Sequence, residues 1–552
     1  MTVHATTPKR SAALATGLPQ ISPPTNRAQV GGIILVLVIT YFCFFHGLTA
    51  FGLVGPDEPR YAAIARDMAI TSDWITPRLH GEPWLEKPIL YYWSAAIGYR
   101  LLGDSELAAR LPSAVGALTT LLALGWLTRR FYGSHTALLF GLVFPSSIAG
   151  LAFSRAATPD MLFSSSLAVT LAVAMPLILV PRLKHIISYQ IGFGVALGLA
   201  VMAKGPAGVV LAGASCTLGA LLTRHSSYIW RLTSPPAIVG FGIIALPWYV
   251  ACGLQNPEFV QVFFLSHNID RFLTPVFSHT QPFWFFIPVM LLALAPWTAA
   301  LAHTVCNTAN LLSCEKRTGS PSVFLVAWAL FPVAFFSLSQ SKLPGYVLPA
   351  VPACTALLSH AMAKVIRSNT YTRTFGIGLG ATLAAMTLTF LAAPEVASSG
   401  VQQGAVRPLA VVLGSCALAT TYLGYRRRLP AAIATTALGI AFTLWQLNET
   451  VLPKLDPMIS SRATAQAVLE LSTDSPIRTY ALHRAWQHGL EYYLSGTILE
   501  WNPEDPDGTL VITTRQGMRQ MQLEGAGLVM LRTVSNNALL VRTDPSANWQ
   551  QQ

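Results

Sequence analysis

About thirteen stretches of this 552-residue chain are apolar over the roughly 20 residues that a helix needs to cross a bilayer. They lie near 32 to 54, 111 to 127, 134 to 153, 161 to 180, 187 to 203, 205 to 222, 235 to 253, 282 to 302, 322 to 338, 345 to 363, 375 to 393, 408 to 424 and 429 to 448. Inside a bilayer each backbone N–H and C=O needs a partner within its own segment, so such runs fold as helices. With 53% hydrophobic and 11% charged residues and a mean hydropathy of +0.50, the composition is far more apolar than that of a soluble domain. The chain reads as an all-α polytopic membrane protein.

The formal charge of +12 does not indicate a nucleic-acid partner, because the cations form short clusters between apolar runs. Basic gaps recur at every second connection: Lys9/Arg10/Arg27, Arg129/Arg130, Arg182/Lys184, Arg224/Arg231, Lys316/Arg317, Lys364/Arg367/Arg373 and Arg426/Arg427/Arg428. The positive-inside rule makes these cytoplasmic, which puts the N-terminus inside and the C-terminus outside. Residues 1–31 then form a cytoplasmic tail, 32–449 the membrane region, and 450–552 an outer domain. The first run is too long for the apolar core of a signal peptide, so it reads as an uncleaved span. The seven cysteines lie in or beside apolar runs without metal-ligand spacing and imply no disulfide framework.

The first outer loop, residues 55–110, carries the densest chemistry. Tyr61, Ile64, Ala65, Met68 and Ala69 repeat with helical spacing and predict a helix lying on the membrane surface. Asp57 and Glu58 fall at its start, where negative charge is favoured and where Asp57 is also a plausible cap. Farther on, Glu86-Lys87-Pro88 precedes another aromatic apolar segment. Charges of both signs gathered at a bilayer boundary, where burial is costly, indicate a site for a charged ligand.

Orientation gives no reason for the outer cations Arg60, Lys87, Arg155, Lys204, Arg271, Lys342 and Arg407. Each could reach lipid phosphate individually; beside Asp57, Glu58, Glu86 and Asp160 they read as a set. Two long outer loops, 55–110 and 254–281, roof the tight turns at Arg155 to Asp160, Lys204 to Pro206 and Ser341 to Gly345. Beyond Glu449 no run is long enough to span a membrane. A helix at Ser461 to Leu471, strands at Ile477 to Leu482, Thr509 to Thr514, Leu528 to Val534 and Ala538 to Arg542, and a helical stretch from Gln516 predict a small α/β domain. His483, Arg484 and His488 read as surface residues of that domain.

No Walker, HExxH or GxSxG motif is present. The block PDEPRYAAIARDMAITSDWITPRLHGEPWLEKP resembles the first outer loop of the GT-C glycosyltransferases that use polyprenyl-phosphate sugars, the superfamily of protein O-mannosyltransferases. Within it, the block is most like the bacterial aminoarabinose transferases that modify lipid A. Matching stretches continue through Ser154 to Asp160, Lys204-Gly205-Pro206, His267 to Phe272 and Ser341 to Tyr346. The resemblance implies a multi-span module with catalytic outer loops, a periplasmic C-terminal domain and a place in the bacterial inner membrane. The implied partners are an undecaprenyl-phosphate sugar donor, a lipid A acceptor and the bilayer.

The resemblance places a catalytic acid at Asp57, with Glu58 adjacent. Chemistry assigns Lys87, Arg271 and Lys204, then Arg60 and Lys342, to the donor phosphate, where negative charge accumulates as it leaves. Asp160 orients the sugar or balances those cations, and Tyr61 and Tyr346 line the substrate. No cofactor is required. Glu86 and His267 are ordinary ligand types for a divalent ion such as zinc, although two protein ligands are few. A related transferase for another sugar or a protein hydroxyl, and a lipid flippase, remain alternatives. Flippases and transporters commonly carry internal repeats and midplane charges. This chain shows its charges at one boundary and no repeat.

Cysteine-accessibility labelling should place positions 86 and 500 outside and Arg427 inside, as the alternating basic gaps require. Opposite labelling of either outer position would overturn the loop assignment.

Overall fold

The apolar runs fold as helices, several of them broken. The computed structural model describes residues 26–274, 280–301, 304–305, 319–392, 403–471, 475–535 and 538–544. Most of the 1–31 tail, together with Lys9, Arg10, Lys316, Arg317, Cys306 and Cys314, lies outside these. The first ten helices are α1 Asn26–Thr40, α2 Asp57–Thr71, α3 Leu90–Leu102, α4 Glu106–Tyr132, α5 Ser134–Val143, α6 Ile148–Ser154, α7 Pro159–Leu179, α8 Ile186–Lys204, α9 Ala207–Leu222 and α10 Pro235–Gln255. Further apolar helices follow at Pro321–Ser337, Val351–Ser368, Thr372–Ala392, Gln403–Tyr425 and Leu429–Gln446.

Among the described residues, seven helices are long and apolar enough to cross a membrane. An eighth is added if α5 and α6, bent by 63°, are taken together. Several of the other apolar runs are shorter or interrupted: 282 to 302 divides into Phe286–Ala293 and a 3-10 turn at Trp297–Ala300, on either side of Pro296. A hydropathy run registers composition and not helix continuity, which is why runs outnumber uninterrupted spans.

Helix α7 is one of the two most enclosed of these spans, with 83% of its length buried. A helix apolar on every side belongs in the interior. Its neighbours are α4, α8 and α9, and its first turn carries Asp160. A site residue is thus mounted on a helix with little freedom to move.

Residues 55–110, read from the sequence as the first outer loop, hold α2, a short hairpin and α3. Strands β1 (Arg78–Leu79) and β2 (Glu82–Pro83) pair antiparallel around His80 and Gly81. Tyr61, Ile64, Ala65 and Met68 are buried as their spacing predicts, but against protein. Tyr61 packs on Tyr91 and Tyr92 of α3, with ring centroids 6.0 and 6.1 Å away. The apolar face of α2 therefore meets other residues of the chain, where a helix lying on the membrane surface would present it to lipid.

One buried ion pair organises this region. Arg110 of α4 donates from Nε and Nη2 to Glu58 Oε1 and Oε2 at 3.2 and 2.7 Å. The side chains are 1% and 7% exposed, so neither charge has water as a substitute partner. Arg110 also donates to the carbonyls of Leu48, Phe51 and Gly52. Glu58 accepts from the backbone N–H of Val54 and of Ala157. Nearby, Arg155 donates to the carbonyls of His46 and Gly47 and to Asn448 Oδ1. Burial, followed by the charge of Arg110, pulls the Arg155 guanidinium down to about 10.

The C-terminal residues form the expected sheet. Strands β3 (Ile477–Tyr480), β4 (Leu510–Thr513), β5 (Leu528–Ser535) and β6 (Ala538–Thr543) are arranged in the order β3-β4-β6-β5. The β3–β4 pair is parallel and the others antiparallel. Helices Arg462–Glu470 and Arg515–Leu523 fall where the sequence predicts them. Another helix, Arg484–Tyr493, was not foreseen and lies against α2; it is called the docking helix below. Its Tyr493 hydroxyl donates to Glu106 at 2.9 Å and accepts from Leu53 N at 2.8 Å. Arg462 reaches Asp456 and Glu106, and Asp456 accepts from Gly52 N.

Replacing Arg110 with Met would leave the Glu58 carboxylate buried without its cation, a change that costs about 3–5 kcal/mol. Thermal unfolding in detergent should show a clear fall in Tm for Arg110→Met. An unchanged Tm would overturn the organising role of the pair.

Candidate functional site

A cavity of about 1310 Å³ opens where the starts of α2 and α7, the α8–α9 turn and the 339–346 turn converge. The segment 263–273 and the start of the docking helix complete its wall. Phenylalanines 153, 263, 264, 272, 335 and 336 supply much of the apolar lining. The polar lining gathers Asp57, Arg60, Glu86, Lys87, Asp160, Lys204 and His267. Seven residues singled out by sequence chemistry thus share one space, joined by Tyr61 and Tyr346.

On α2, Pro56 takes the capping position and Asp57 becomes the first helical residue. The Asp57 carboxylate makes no cap. It accepts from Arg60 Nη2 at 2.6 Å, one turn on. The Arg60 guanidinium lies 5.2 Å from the Tyr61 ring centroid and 5.1 Å from that of Trp84. Burial pulls Arg60 down, but Tyr61, Asp57 and Glu86 outweigh it and hold the guanidinium above its ordinary value. Asp57 keeps half of its side chain exposed and Arg60 only 13%. The cation is fixed and the carboxylate remains accessible.

The second pair joins two helices. Lys204 at the end of α8 is ion-paired with Asp160 in the first turn of α7. Both signs suit the helix ends on which they sit. The Lys204 ammonium also lies 5.1 Å from the Tyr346 ring centroid. Gly205 then turns the chain with φ +71°, and a Cβ there would stand 2.5 Å from Phe263 Cζ. Only glycine lets Lys204 end its helix against that ring. Gly345 is similarly confined, its virtual Cβ 3.1 Å from Phe153 and 3.8 Å from Asp160 Oδ2.

Glu86 and His267 approach from the two long loops, His267 Nε2 lying 3.7 Å from Glu86 Oε1. An imidazole and a carboxylate at this separation fit two ligands of one divalent ion, and they equally fit a plain charge-assisted contact. Neighbouring Asn268 turns its side chain to the Phe263 carbonyl.

Other candidates are placed elsewhere. Glu58, adjacent to Asp57, is absorbed by Arg110 and is not among the cavity-lining residues. Lys342 is buried beside the cavity and donates to the Ser339 carbonyl at 2.6 Å. Arg155 serves the backbone, as described above. Arg407 is exposed near the start of Gln403–Tyr425. Arg271 begins the short helix Arg271–Leu273, and its side chain lies outside the described residues. Conversely, His483 and Arg484, read as surface residues of the outer domain, line the cavity. The His483 imidazole caps the docking helix by accepting from Ala485 N. An amphipathic reading of residues 484–493, with Leu490 inward, could have found that helix but not its target.

Residues 86–251 match the family described as dolichyl-phosphate-mannose-protein mannosyltransferase. An undecaprenyl phosphate-alpha-4-amino-4-deoxy-L-arabinose arabinosyl transferase of Pseudomonas fluorescens is 31% identical, over 62% of this chain and 58% of that protein. One of Pseudomonas aeruginosa is 30% identical, over 64% of this chain and 63% of its own length. The alignments thus span less than two thirds of these relatives. The crystal structure of ArnT from Cupriavidus metallidurans bound to undecaprenyl phosphate superposes with a TM-score of 0.77 and 23% identity, covering 95% of this chain and 100% of that one. Its apo state gives 0.75. The chain has that fold.

Proposed function

We propose that this chain transfers 4-amino-4-deoxy-L-arabinose from undecaprenyl phosphate to a phosphate of lipid A, at the periplasmic face of a bacterial inner membrane. The observation that carries the reading is one cavity in which Asp57–Arg60, Asp160–Lys204 and Lys87 meet amid apolar walls. A lipid-linked sugar phosphate presents the same combination: an anion, a cationic sugar and a long apolar tail. The names of the relatives and the shared fold support the donor and the sugar. The proposed arrangement has about thirteen crossings, counting shortened and bent helices. It puts 1–31 in the cytoplasm, 32–449 in the membrane and 450–552 in the periplasm.

In the proposed reaction an acceptor phosphate oxygen attacks the anomeric carbon. The anomeric carbon–oxygen bond breaks, and its electron pair leaves on undecaprenyl phosphate. Arg60, Lys87 and Lys204 are placed to receive the charge that accumulates there, in apolar surroundings that strengthen each contact. Asp57 and Asp160 balance those cations and can pair with the sugar's 4-ammonium. A phosphate monoester has a second pKa of about 6, so the acceptor is already nucleophilic at neutral pH and requires no base. The pairing of Asp57 with Arg60 supports a charge role for this carboxylate. A zinc ion between Glu86 and His267 is the finer cofactor reading. It would add positive charge beside Arg60 and Lys87, and elemental analysis of wild type against His267→Ala tests it.

Radiolabel should pass from purified polyprenyl-linked sugar to lipid A in detergent. A flippase would leave the label on the donor. Failure with lipid A but transfer to a peptide hydroxyl would favour the protein-acceptor alternative.

Asp57→Asn keeps size and removes charge, and should lower the rate on the order of 100- to 1000-fold. Its residual rate should rise with pH only until the acceptor phosphate ionises near pH ~6, and then level off. A profile climbing steadily through pH ~8 to 9, with the fold intact, would indicate hydroxide replacing a lost base. That outcome would sink the phosphate-acceptor reading.

A further inference from the structure

Across the interface between the first outer loop and the outer domain lies a second group of ligand-type side chains. His80 occupies the β1–β2 turn, while His488 and Glu491 lie three residues apart on one face of the docking helix. Glu491 Oε2 is 3.2 Å from His80 Nε2 and 3.1 Å from His488 Nδ1. The three ligand atoms all lie within 4.8 Å of one another. Among the described residues, no other three His, Cys, Asp or Glu side chains come so close.

We infer that these three residues form a divalent transition-metal site that pins the docking helix to the first outer loop. Two neutral imidazoles and one carboxylate are a ligand set that zinc takes in tetrahedral geometry at about 2.0–2.2 Å, which places neighbouring ligand atoms about 3.3 Å apart. Two of the three separations, 3.2 and 3.1 Å, are already close to it. The Glu491 side chain is only 5% exposed, whereas those of His80 and His488 are 29% and 23% exposed. The carboxylate is therefore held by the protein, and an ion and its remaining water can enter from the imidazole side. His80 has φ +54° and Gly81 φ +84°, so the turn presents the imidazole from a conformation that histidine tolerates better than most residues. Because His483 and Arg484 begin the same helix and line the cavity, the ion would hold the outer domain's contribution to that space in position. The site is distinct from Glu86–His267 and does not depend on which sugar or acceptor is used.

The test uses the full-length protein in detergent, stripped with chelator and titrated with Zn²⁺ alone, in a His267→Ala background that removes the other candidate ligand. Zinc uptake should reach one equivalent and raise Tm. His80→Asn keeps a residue suited to the left-handed turn and removes the imidazole; both uptake and the Tm rise should be lost. Glu491→Gln should lose them as well. No uptake in the His267→Ala parent, or uptake and a Tm rise retained in His80→Asn, would overturn the inference. Metal-free Tm values for His80→Asn and its parent should agree, which separates loss of the ligand from loss of the fold.

Discussion

The pair formed by Glu58 and Arg110 is the constraint on which the surroundings of the cavity depend. Two opposite charges removed from water are tolerated only when each lone pair and N–H has a partner. Here Arg110 is saturated by one carboxylate and three carbonyls, and Glu58 also takes the N–H groups of Val54 and Ala157. Those contacts tie the end of the first hydrophobic segment, the start of α2, the start of α4 and the turn before α7 to one point. Asp57 is next to Glu58, and Asp160 lies three residues beyond Ala157. Asp57 and Asp160, two of the three carboxylates that line the cavity, are positioned relative to each other through a carboxylate that does not line it.

This arrangement explains how a crowded set of charges can sit in an apolar cavity at all. Uncompensated cations would be expensive at this depth, and each described pair carries its own counter-ion: Arg60 with Asp57, Lys204 with Asp160. Tyrosine and tryptophan faces add further support to the same cations. A compensated cation still binds phosphate, because an incoming dianion can share it or displace the carboxylate toward a cationic group on the ligand. An aminosugar phosphate brings both signs and can replace both halves of such a pair.

Much of this was legible in the sequence, and the remainder was hidden for identifiable reasons. Asp57 and Arg60 are one helical turn apart, so their pairing follows from spacing alone. The C-terminal strands fell nearly where short apolar runs bounded by polar residues put them, and two of them, Leu510–Thr513 and Ala538–Thr543, are almost wholly buried. Glu58 could not be separated from Asp57, because successive residues on a helix point about 100° apart and the residue that claims Glu58 is on α4. The union of Asp160 with Lys204 depends on α7 and α8 packing side by side, which no local pattern reports. Lys342 read as a ligand-facing cation because proximity in sequence to a turn does not say where an ammonium will find its acceptor.

The docking helix shows how this limit bears on function. Residues 484–493 contain one histidine, an arginine, a glutamine, a glutamate and a glycine among few strong apolar positions. Taken alone they describe an exposed helix. Packed against α2, the same residues put Tyr492 within 3.1 Å of Tyr99 and 3.0 Å of Asp104, and Arg66 over the Tyr492 ring. The tyrosines and Glu491 anchor the helix, and its first residues then reach the cavity. The C-terminal residues are therefore part of the cavity wall, and a movement of this helix would alter the wall as well as its packing on α2. The apolar helices carry the paired charges, and the C-terminal residues add His483 and Arg484 to the lining of the same cavity.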